Sequence, residues 1–329
     1  MRSFSMKQTA LIFAALFGFG VRALTAYDSS YETLRDLGLI PNLQKSDLCK
    51  RYLDTSAGRI AYFETSGREG PIVLIHGNSC SKEFMMKQLD GLGLKYKMIA
   101  LDLPGHGESS NALRPSENYT LAGYASLIVE MIQKLELGPV ILVGWSLGGD
   151  VAIEAMAQFP QYLKGVVISG TPPVVRGEGG ISEQGIQEGY CFSNLADIAH
   201  LVAQLEPFSY EDVQTYWSTE SIDLEKYPLL ADACQRTDGL ARHTLCSVIL
   251  RGEGANEKDV VAHSPVPLGI IMGVEDHGVN NSYIQSLTYA NCLMMEAIGG
   301  FHDCQWSHPE DFNRLLDRFA IEVSSLSKK

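Results

Sequence analysis

The chain has 329 residues, of which 45% are hydrophobic and 20% charged, a composition that excludes wholesale disorder and collagen-like repeats. Its formal net charge of -13 disfavours nucleic acid as a partner, because an acidic protein repels a phosphate backbone. The seven cysteines are scattered without any C-x-x-C pair, which argues against a zinc knuckle, a thioredoxin-type motif or a disulfide framework. We expect most of them to be buried thiols.

The N-terminal segment has the pattern of a signal peptide. Arg2 and Lys7 precede an apolar run over residues 10–21, and no acidic residue occurs before residue 28. The run is too short to span a bilayer but suits the hydrophobic region of a signal peptide. We therefore predict a signal peptide over residues 1–26 and secretion, with no stable membrane span. The alternative is a buried or amphipathic N-terminal helix in a cytoplasmic protein.

Strand patterns dominate from residue 51 onward. The segments 51–55 and 59–65 flank Ser56-Ala57-Gly58 and predict an antiparallel hairpin with a three-residue turn. Beyond the hairpin, short runs that are apolar on both faces alternate with helical patterns, which predicts a mostly parallel sheet covered by helices. The predicted strands of this series lie at 72–76, 98–102, 140–144, 165–169, 268–273 and 292–299.

The alternation lapses between residues 176 and 245. Glycines open this region, and helix-like pieces rich in tyrosine, phenylalanine, leucine and tryptophan follow. We interpret 176–245 as a helical insertion on the sheet. It separates a first part of the core at 27–175 from a second part at 246–329.

A glycine-flanked serine is the strongest sequence signal for chemistry. Gly144-Trp145-Ser146-Leu147-Gly148 lies between an apolar strand and a helix, the context in which G-x-S-x-G indicates a nucleophile. A tight strand-to-helix turn exposes the hydroxyl, and the flanking glycines avoid collisions of a Cβ with the neighbouring strand or helix. The alternative is a structural serine in a glycine-rich turn.

A serine nucleophile needs a histidine base and an orienting carboxylate. Among the eight histidines, His302 is favoured because it follows the last predicted strand, whereas His308 precedes a proline and is expected to open the last helix. Asp276 follows the strand at 268–273, at the sheet edge where catalytic groups collect. Glu275 is its nearest competitor. We interpret Asp102, which precedes the serine in the chain, as structural.

These residues together resemble the α/β-hydrolase superfamily from about residue 51 to the C-terminus. The matching pieces are Ile75-His76-Gly77-Asn78, Asp102-Leu103-Pro104-Gly105-His106-Gly107-Glu108-Ser109, Gly144–Gly149, Gly273–Asp276 and the segment around His302. Within the superfamily the chain looks like the capped, esterase-like branch with a serine nucleophile.

The resemblance implies roles for individual residues. Ser146 would be the nucleophile, His302 the general base and acid, and Asp276 the orienting acid. The backbone N–H groups of Asn78 and Leu147 would form the oxyanion hole, and residues 176–245 would be the cap. Two departures stand beside the base: Phe301 replaces the usual glycine before the histidine, and Asp303 after it could perturb its pKa.

We therefore expect a serine hydrolase that cleaves an ester, thioester or lactone of a small, largely apolar substrate through an acyl-serine intermediate. The acidic charge disfavours strongly anionic substrates. The alternatives are a non-catalytic or very slow ligand-binding protein of this fold, or a cofactor-free perhydrolase. We expect no cofactor and no metal, because the chain has neither G-x-G-x-x-G after a strand nor H-E-x-x-H.

Overall fold

The computed structural model describes residues 28–177, 188–191 and 200–326. The predicted signal peptide at 1–26 and part of the predicted insertion lie outside the described residues. No helix in the described ranges is long and apolar enough to cross a membrane.

The core of the molecule is one eight-stranded sheet in the order β1-β2-β4-β3-β5-β6-β7-β8. Antiparallel pairing is confined to β1 with β2 and β2 with β4, and every other neighbouring pair is parallel. The mostly parallel sheet predicted from the apolar runs is therefore confirmed. The strands are Leu48–Thr55 (β1), Gly58–Thr65 (β2), Glu69–Ile75 (β3), Tyr96–Leu101 (β4), Val140–Trp145 (β5), Leu163–Ser169 (β6), Leu268–Gly273 (β7) and Cys292–Ile298 (β8).

The first hairpin differs from its prediction in the length of its turn. Gly58 pairs with Thr55 in the ladder, so the loop contains only Ser56 and Ala57 instead of three residues. Gly58 has a φ of 132°, a conformation that suits glycine, and it continues the strand instead of closing the turn.

Helices cover both faces of the sheet. They are Tyr31–Asp36 (α1), Met86–Leu92 (α2), Pro115–Asn118 (α3), Leu121–Lys134 (α4), Leu147–Gln158 (α5), Tyr210–Tyr216 (α6), Pro228–Arg236 (α7), Gly239–Leu250 (α8), Glu257–His263 (α9), Asn281–Ser286 (α10), Cys304–Ser307 (α11) and Pro309–Leu326 (α12). Short 3-10 helices lie at Lys82–Met85, Pro160–Tyr162 and Leu201–Ala203. The sequence between the strands predicts helices at 121–135, from its apolar spacing, and at 147–159, directly after a strand; α4 and α5 match these ranges to within one residue at each end.

Two apolar clusters fill the space between the sheet and its helices. One cluster joins α2 and α12 to one set of strand residues, and the other joins α4 and α5 to the alternate residues of the same strands. Ile72 and Leu74 of β3 belong to the first cluster, whereas Val73 and Ile75 belong to the second, as the period of a strand requires. Burial on both faces explains why these strands are continuously apolar.

The segment between β6 and β7, residues 170–267, is here named the β6–β7 insertion. In its described part it contains α6, α7, α8 and α9. The predicted end of the helical insertion at residue 245 falls inside α8, which continues to Leu250. Trp217 and Tyr227 of the insertion belong to the same apolar cluster as Phe84 and Trp145 of the core.

The cysteines are all free thiols, in agreement with the absence of a disulfide framework predicted from their spacing. The prediction that most are buried is wrong. Only Cys80, Cys234 and Cys304 are buried, and the other four are partly exposed.

Candidate active site

Ser146 occupies a strained turn between β5 and α5. Its φ of 53° and ψ of -122° lie outside the ordinary regions for a non-glycine residue. A Cβ on Gly144 would lie 2.0 Å from the carbonyl oxygen of Gly148, and a Cβ on Gly148 would lie 2.3 Å from that of Ile75 in β3. Both glycines are therefore required by close backbone approach, as the sequence motif predicted. The helix that follows begins at Leu147, so its N-terminal end lies beside Ser146.

His302 and Asp276 are brought together although 26 positions separate them in the chain. His302 follows β8 and Asp276 follows β7, and these strands are parallel neighbours. The imidazole Nδ1 lies 2.9 Å from Asp276 Oδ2. Asp276 Oδ1 accepts the backbone N–H groups of Gly278 and Val279 at 2.8 and 3.1 Å. The carboxylate is thus held by its own loop while it faces the histidine.

The competing acid and the competing base face elsewhere. Glu275 Oε2 accepts the backbone N–H of Gly300 at 2.6 Å. His308 Nδ1 lies 3.2 Å from the Ser307 hydroxyl, and the next helix begins one residue later, at Pro309. Neither contact involves Asp276 or His302.

Sequence reasoning missed the contacts around the turn that carries Ser146. One of them joins this turn to the loop after β8 that carries His302, here named the base loop after the base predicted in it. The Trp145 indole Nε1 donates to the His302 carbonyl oxygen at 2.8 Å. The Thr171 hydroxyl donates to the Ser146 carbonyl oxygen, also at 2.8 Å. Gly170, with φ of 60°, lies so close to the base that a Cβ there would be 2.8 Å from His302 Cε1. The tryptophan directly before Ser146 was visible in the motif, but its contact with the base loop carries no sequence signal.

Of the two predicted oxyanion donors, Leu147 directly follows Ser146 and Asn78 follows Gly77, a glycine close to the Ser146 side chain. Leu147 is the first residue of α5, and Gly77, next to Asn78, would place a Cβ 3.3 Å from the Ser146 Cβ. The Asn78 carbonyl oxygen accepts the Tyr216 hydroxyl and the Cys80 thiol, each at 3.2 Å. These bonds hold the Asn78 backbone from the side of the β6–β7 insertion as well as from its own loop.

The loop after Asn78 rests on a buried ionic network around Lys82. The ammonium group lies 2.8 Å from carboxylate oxygens of Asp102, Glu83 and Glu108. The Lys82 and Asp102 side chains are fully buried. Asp102 also accepts the backbone N–H groups of Lys82 and Glu108, which agrees with the structural role predicted for it.

The insertion reaches the base loop through Glu220 and Ser221. Glu220 Oε2 accepts the backbone N–H of Asp303 at 3.2 Å. The Ser221 hydroxyl donates to Asp303 Oδ2 at 2.7 Å. No motif or periodicity marks either residue, so sequence reasoning missed both.

Nearby carboxyl groups raise the pKa of His302. Burial lowers the pKa of His302, but the charge and hydrogen bond of Asp276, with the charges of Glu220 and Asp303, outweigh burial and raise this pKa to about 9. Burial raises the pKa of Glu220 to about 7; the charge of His302 opposes the rise, and Asp303 and Asp276 add to it.

Within the described ranges, no group of three histidine, cysteine or acidic side chains is placed to hold a metal ion.

Comparisons with known proteins identify the family. A model of the α/β-hydrolase fold matches residues 70–212. The dihydrolipoyllysine-residue acetyltransferase component of the acetoin cleaving system of Cupriavidus necator is 30% identical over 298 residues, which make up 89% of this chain and 74% of that protein. The crystal structure of the N-acyl homoserine lactonase AidH complexed with N-butanoyl homoserine is similar with a TM-score of 0.74 and 33% identity, covering 84% of this chain and 97% of that one. The chain belongs to the α/β-hydrolase fold family.

The membership confirms the resemblance predicted from the motifs, and the similar proteins include a lactonase and a methyl ester esterase. A third relative, the (E)-2-((N-methylformamido)methylene)succinate hydrolase of Acinetobacter baylyi, is 30% identical over 121 residues. That alignment covers 37% of this chain and spans 45% of the length of the relative.

Proposed function

We propose that this α/β-hydrolase is a serine hydrolase that cleaves a carboxylic ester or lactone through an acyl-serine intermediate. The observation that carries the proposal is the 2.9 Å hydrogen bond between His302 Nδ1 and Asp276 Oδ2, on a loop whose His302 carbonyl oxygen accepts the indole N–H of Trp145, the residue before the strained Ser146. Because Asp276 engages Nδ1, the Nε2 atom is left to take the proton of Ser146.

The proposed reaction starts with attack of Ser146 Oγ on the substrate carbonyl carbon. His302 takes the serine proton, and Asp276 stabilises the imidazolium. The N–H groups of Asn78 and Leu147 donate to the developing oxyanion, and the N-terminus of α5 favours its negative charge. Collapse expels an alkoxide that His302 protonates. Water, deprotonated by the same histidine, then attacks the acyl-serine and releases the acid.

The first substrate class to test is the N-acyl homoserine lactones. AidH, the lactonase with 33% identity, has been crystallised with N-butanoyl homoserine, and a mutant of it with N-hexanoyl homoserine lactone. A neutral lactone also suits a site in which Asp276, Glu220 and Asp303 surround the base, because these carboxyls disfavour an anionic substrate. Ring opening would leave the alcohol and the released acid in one product.

The described helices of the β6–β7 insertion are proposed to be the cap over this site. Tyr216 and Trp217 support the proposal: the first donates to the Asn78 carbonyl oxygen, and the second lies with its ring centroid 6.1 Å from that of Trp145. Trp217 is 5% exposed, so the aromatic content of the insertion serves the core as well as any substrate.

The decisive experiment is labelling with a fluorophosphonate followed by mapping of the modified peptide. We expect the label on Ser146, and we expect Ser146→Ala to lower lactone and ester hydrolysis by at least about 10³-fold, because the nucleophile acts as a unit with its base. Ring opening of N-hexanoyl homoserine lactone is followed by pH-stat.

Ser325→Ala is the matched control, since Ser325 is an exposed serine on α12 far along the chain from the turn. The Ser325→Ala protein should be labelled and should hydrolyse the lactone at the wild-type rate. Label on another residue, or full hydrolysis by Ser146→Ala protein that is folded by circular dichroism, contradicts the proposal. Ligand binding without labelling or turnover favours the non-catalytic alternative.

A further inference from the structure

The loop that carries His302 is fastened to the β6–β7 insertion at the residue directly after the histidine. Asp303 donates its backbone N–H to Glu220 Oε2 and accepts the Ser221 hydroxyl on Oδ2, at 3.2 and 2.7 Å. Asp303 is fully buried. These two part-buried hydrogen bonds connect the insertion to the loop that carries the imidazole.

Glu220 also belongs to the charged surroundings of the imidazole. The carboxyls acting on His302 come from three places: Asp276 after β7, Asp303 on the base loop, and Glu220 from the insertion. Asp276 engages the ring by a hydrogen bond, whereas Glu220 acts through its charge. The Cys304 thiol, on α11, is bonded to the Ser169 hydroxyl at 3.4 Å. The titratable groups whose charges interact with Glu220 are His302, Asp303, Asp276 and the Cys80 thiol.

We propose that Glu220 is a positioning residue for the reaction: from the insertion it holds the backbone of the loop that carries His302, and its carboxylate acts electrostatically on the imidazole. The inference rests on the proposed function in that His302 is taken to be the base. It adds a residue of the insertion to the machinery that prepares the base, without contact between that residue and the substrate.

The proposal gives Glu220 two effects, one on the position of the base loop and one on the charge around the imidazole. Two substitutions separate these effects. Glutamine at position 220 still offers an oxygen to the Asp303 N–H but carries no charge. Alanine removes both the acceptor and the charge. The first variant therefore reports on electrostatics alone, and the difference between the two reports on positioning.

The experiment measures the rate of fluorophosphonate labelling of Ser146 as a function of pH, which requires no knowledge of the substrate. Loss of a nearby negative charge makes protonated His302 less favourable, so Glu220→Gln should move the midpoint of the acidic limb down by about half a pH unit or more. Its limiting rate at high pH should stay within about twofold of wild type. Glu220→Ala should show the same shift and a limiting rate lower by about 10-fold, because a base displaced by even a fraction of an ångström transfers protons poorly.

Glu225→Gln is the matched control, since Glu225 is an exposed carboxylate five positions further along the same insertion. It should leave both the midpoint and the limiting rate unchanged. A purely structural role for Glu220 would lower thermal stability without moving the midpoint. NMR titration of the His302 ring in Ser146→Ala protein, with and without Glu220→Gln, gives the same comparison without the reagent.

An unmoved midpoint in Glu220→Gln, or a wild-type limiting rate in Glu220→Ala, overturns the proposal. This failure is distinguishable from failure of the proposed function. If wild-type Ser146 is not labelled at any pH, the proposed function itself is wrong. If it is labelled and the Glu220 variants behave as wild type, only the role of Glu220 is wrong.

Discussion

At the scale of single residues, the protonation state of His302 sets the pH range in which the proposed reaction can begin. An imidazole can take a proton from Ser146 only when it is neutral, and the carboxyls around it favour the charged form. With a pKa of about 9, most His302 side chains are protonated at pH 7 in the free protein.

The first prediction at this scale concerns pH. The rate at which Ser146 reacts with a fluorophosphonate should rise with pH through neutrality and level off only above about pH 9, because the neutral fraction of His302 grows over that range. The decay of the reagent alone, measured at each pH, serves as the control. A rate that is already constant between pH 7 and 9 would contradict the raised pKa.

The same shift links His302 to folding. Its pKa in the folded protein is above the value of about 6.5 expected for an unfolded chain. The protonated pair with Asp276 therefore contributes stability that is fully present below about pH 6.5 and is lost as the pH rises through about 9. Activity and this part of the stability thus change in opposite directions with pH.

The residues of the site differ in how far the sequence could predict them. Ser146, Asp276 and His302 each follow a strand, so a parallel sheet places them on one edge and the sequence suffices to propose them. Glu220 and Ser221 contact Asp303 across 83 and 82 positions of chain. Such contacts depend on how the insertion folds back on the core, and no local pattern encodes them.

At the scale of elements, the turn between β5 and α5 depends on the approach of α5 to β3. A Cβ on Gly148 would lie 2.3 Å from the carbonyl oxygen of Ile75, so strand and helix would have to separate. The strain at Ser146 persists because both flanking elements are packed in the core: β5 is buried along its whole length, and α5 has ten buried residues out of twelve.

We predict that Gly148→Ala lowers the free energy of unfolding by about 1–3 kcal/mol, the usual cost of an overpacked contact, and slows labelling of Ser146. Urea denaturation and labelling kinetics measure the two effects. Ala157→Gly, on the exposed side of the same helix, should cost about 1 kcal/mol through helix propensity and leave labelling unchanged. A Gly148→Ala protein with wild-type stability and labelling would contradict the steric argument.

The hairpin shows where local patterns were insufficient at this scale. The sequence located both strands of the hairpin, but it assigned Gly58 to the turn. The backbone of Gly58 is held against the segment that follows β4, since a Cβ would lie 2.3 Å from the Ser110 hydroxyl. A tertiary contact, and not the turn, therefore explains the glycine.

At the scale of the whole molecule, the Lys82 network joins distant parts of the chain. Glu108 accepts hydrogen bonds from Lys82, from Lys50 of β1 and from the hydroxyl of Ser29. One partly buried cluster therefore connects the start of the described chain, the edge of the sheet and the loop after Asn78. Burial opposes a raised pKa of Lys82, but the charges of Asp102, Glu83 and Glu108 outweigh it and raise this pKa. Burial likewise favours a raised pKa of Glu108, but the charge of Lys82 and hydrogen bonds from Lys82, Lys50 and Ser29 lower it to about 2.

We predict that Lys82→Met lowers the free energy of unfolding by about 3–5 kcal/mol, because it leaves buried carboxylates without their cation. The control is Lys45→Met, whose partner Glu32 is 61% exposed, and this substitution should leave the urea midpoint unchanged because water screens the exposed pair. Urea denaturation at pH 7 measures both. A loss below about 1 kcal/mol in Lys82→Met would show that the network is not coupled to folding.

The shared apolar cluster limits how this architecture can be recombined. Trp217 of the insertion stacks on Phe84, with ring centroids 5.1 Å apart, and Tyr227 meets the edge of Trp306 in α11 at 5.2 Å. A chimaera that received only the β6–β7 insertion of a relative would lack the matching aromatic surface on the recipient. An insertion of different shape has to be exchanged together with the residues around Phe84 and Trp306, so these three discontinuous segments pack as one structural unit.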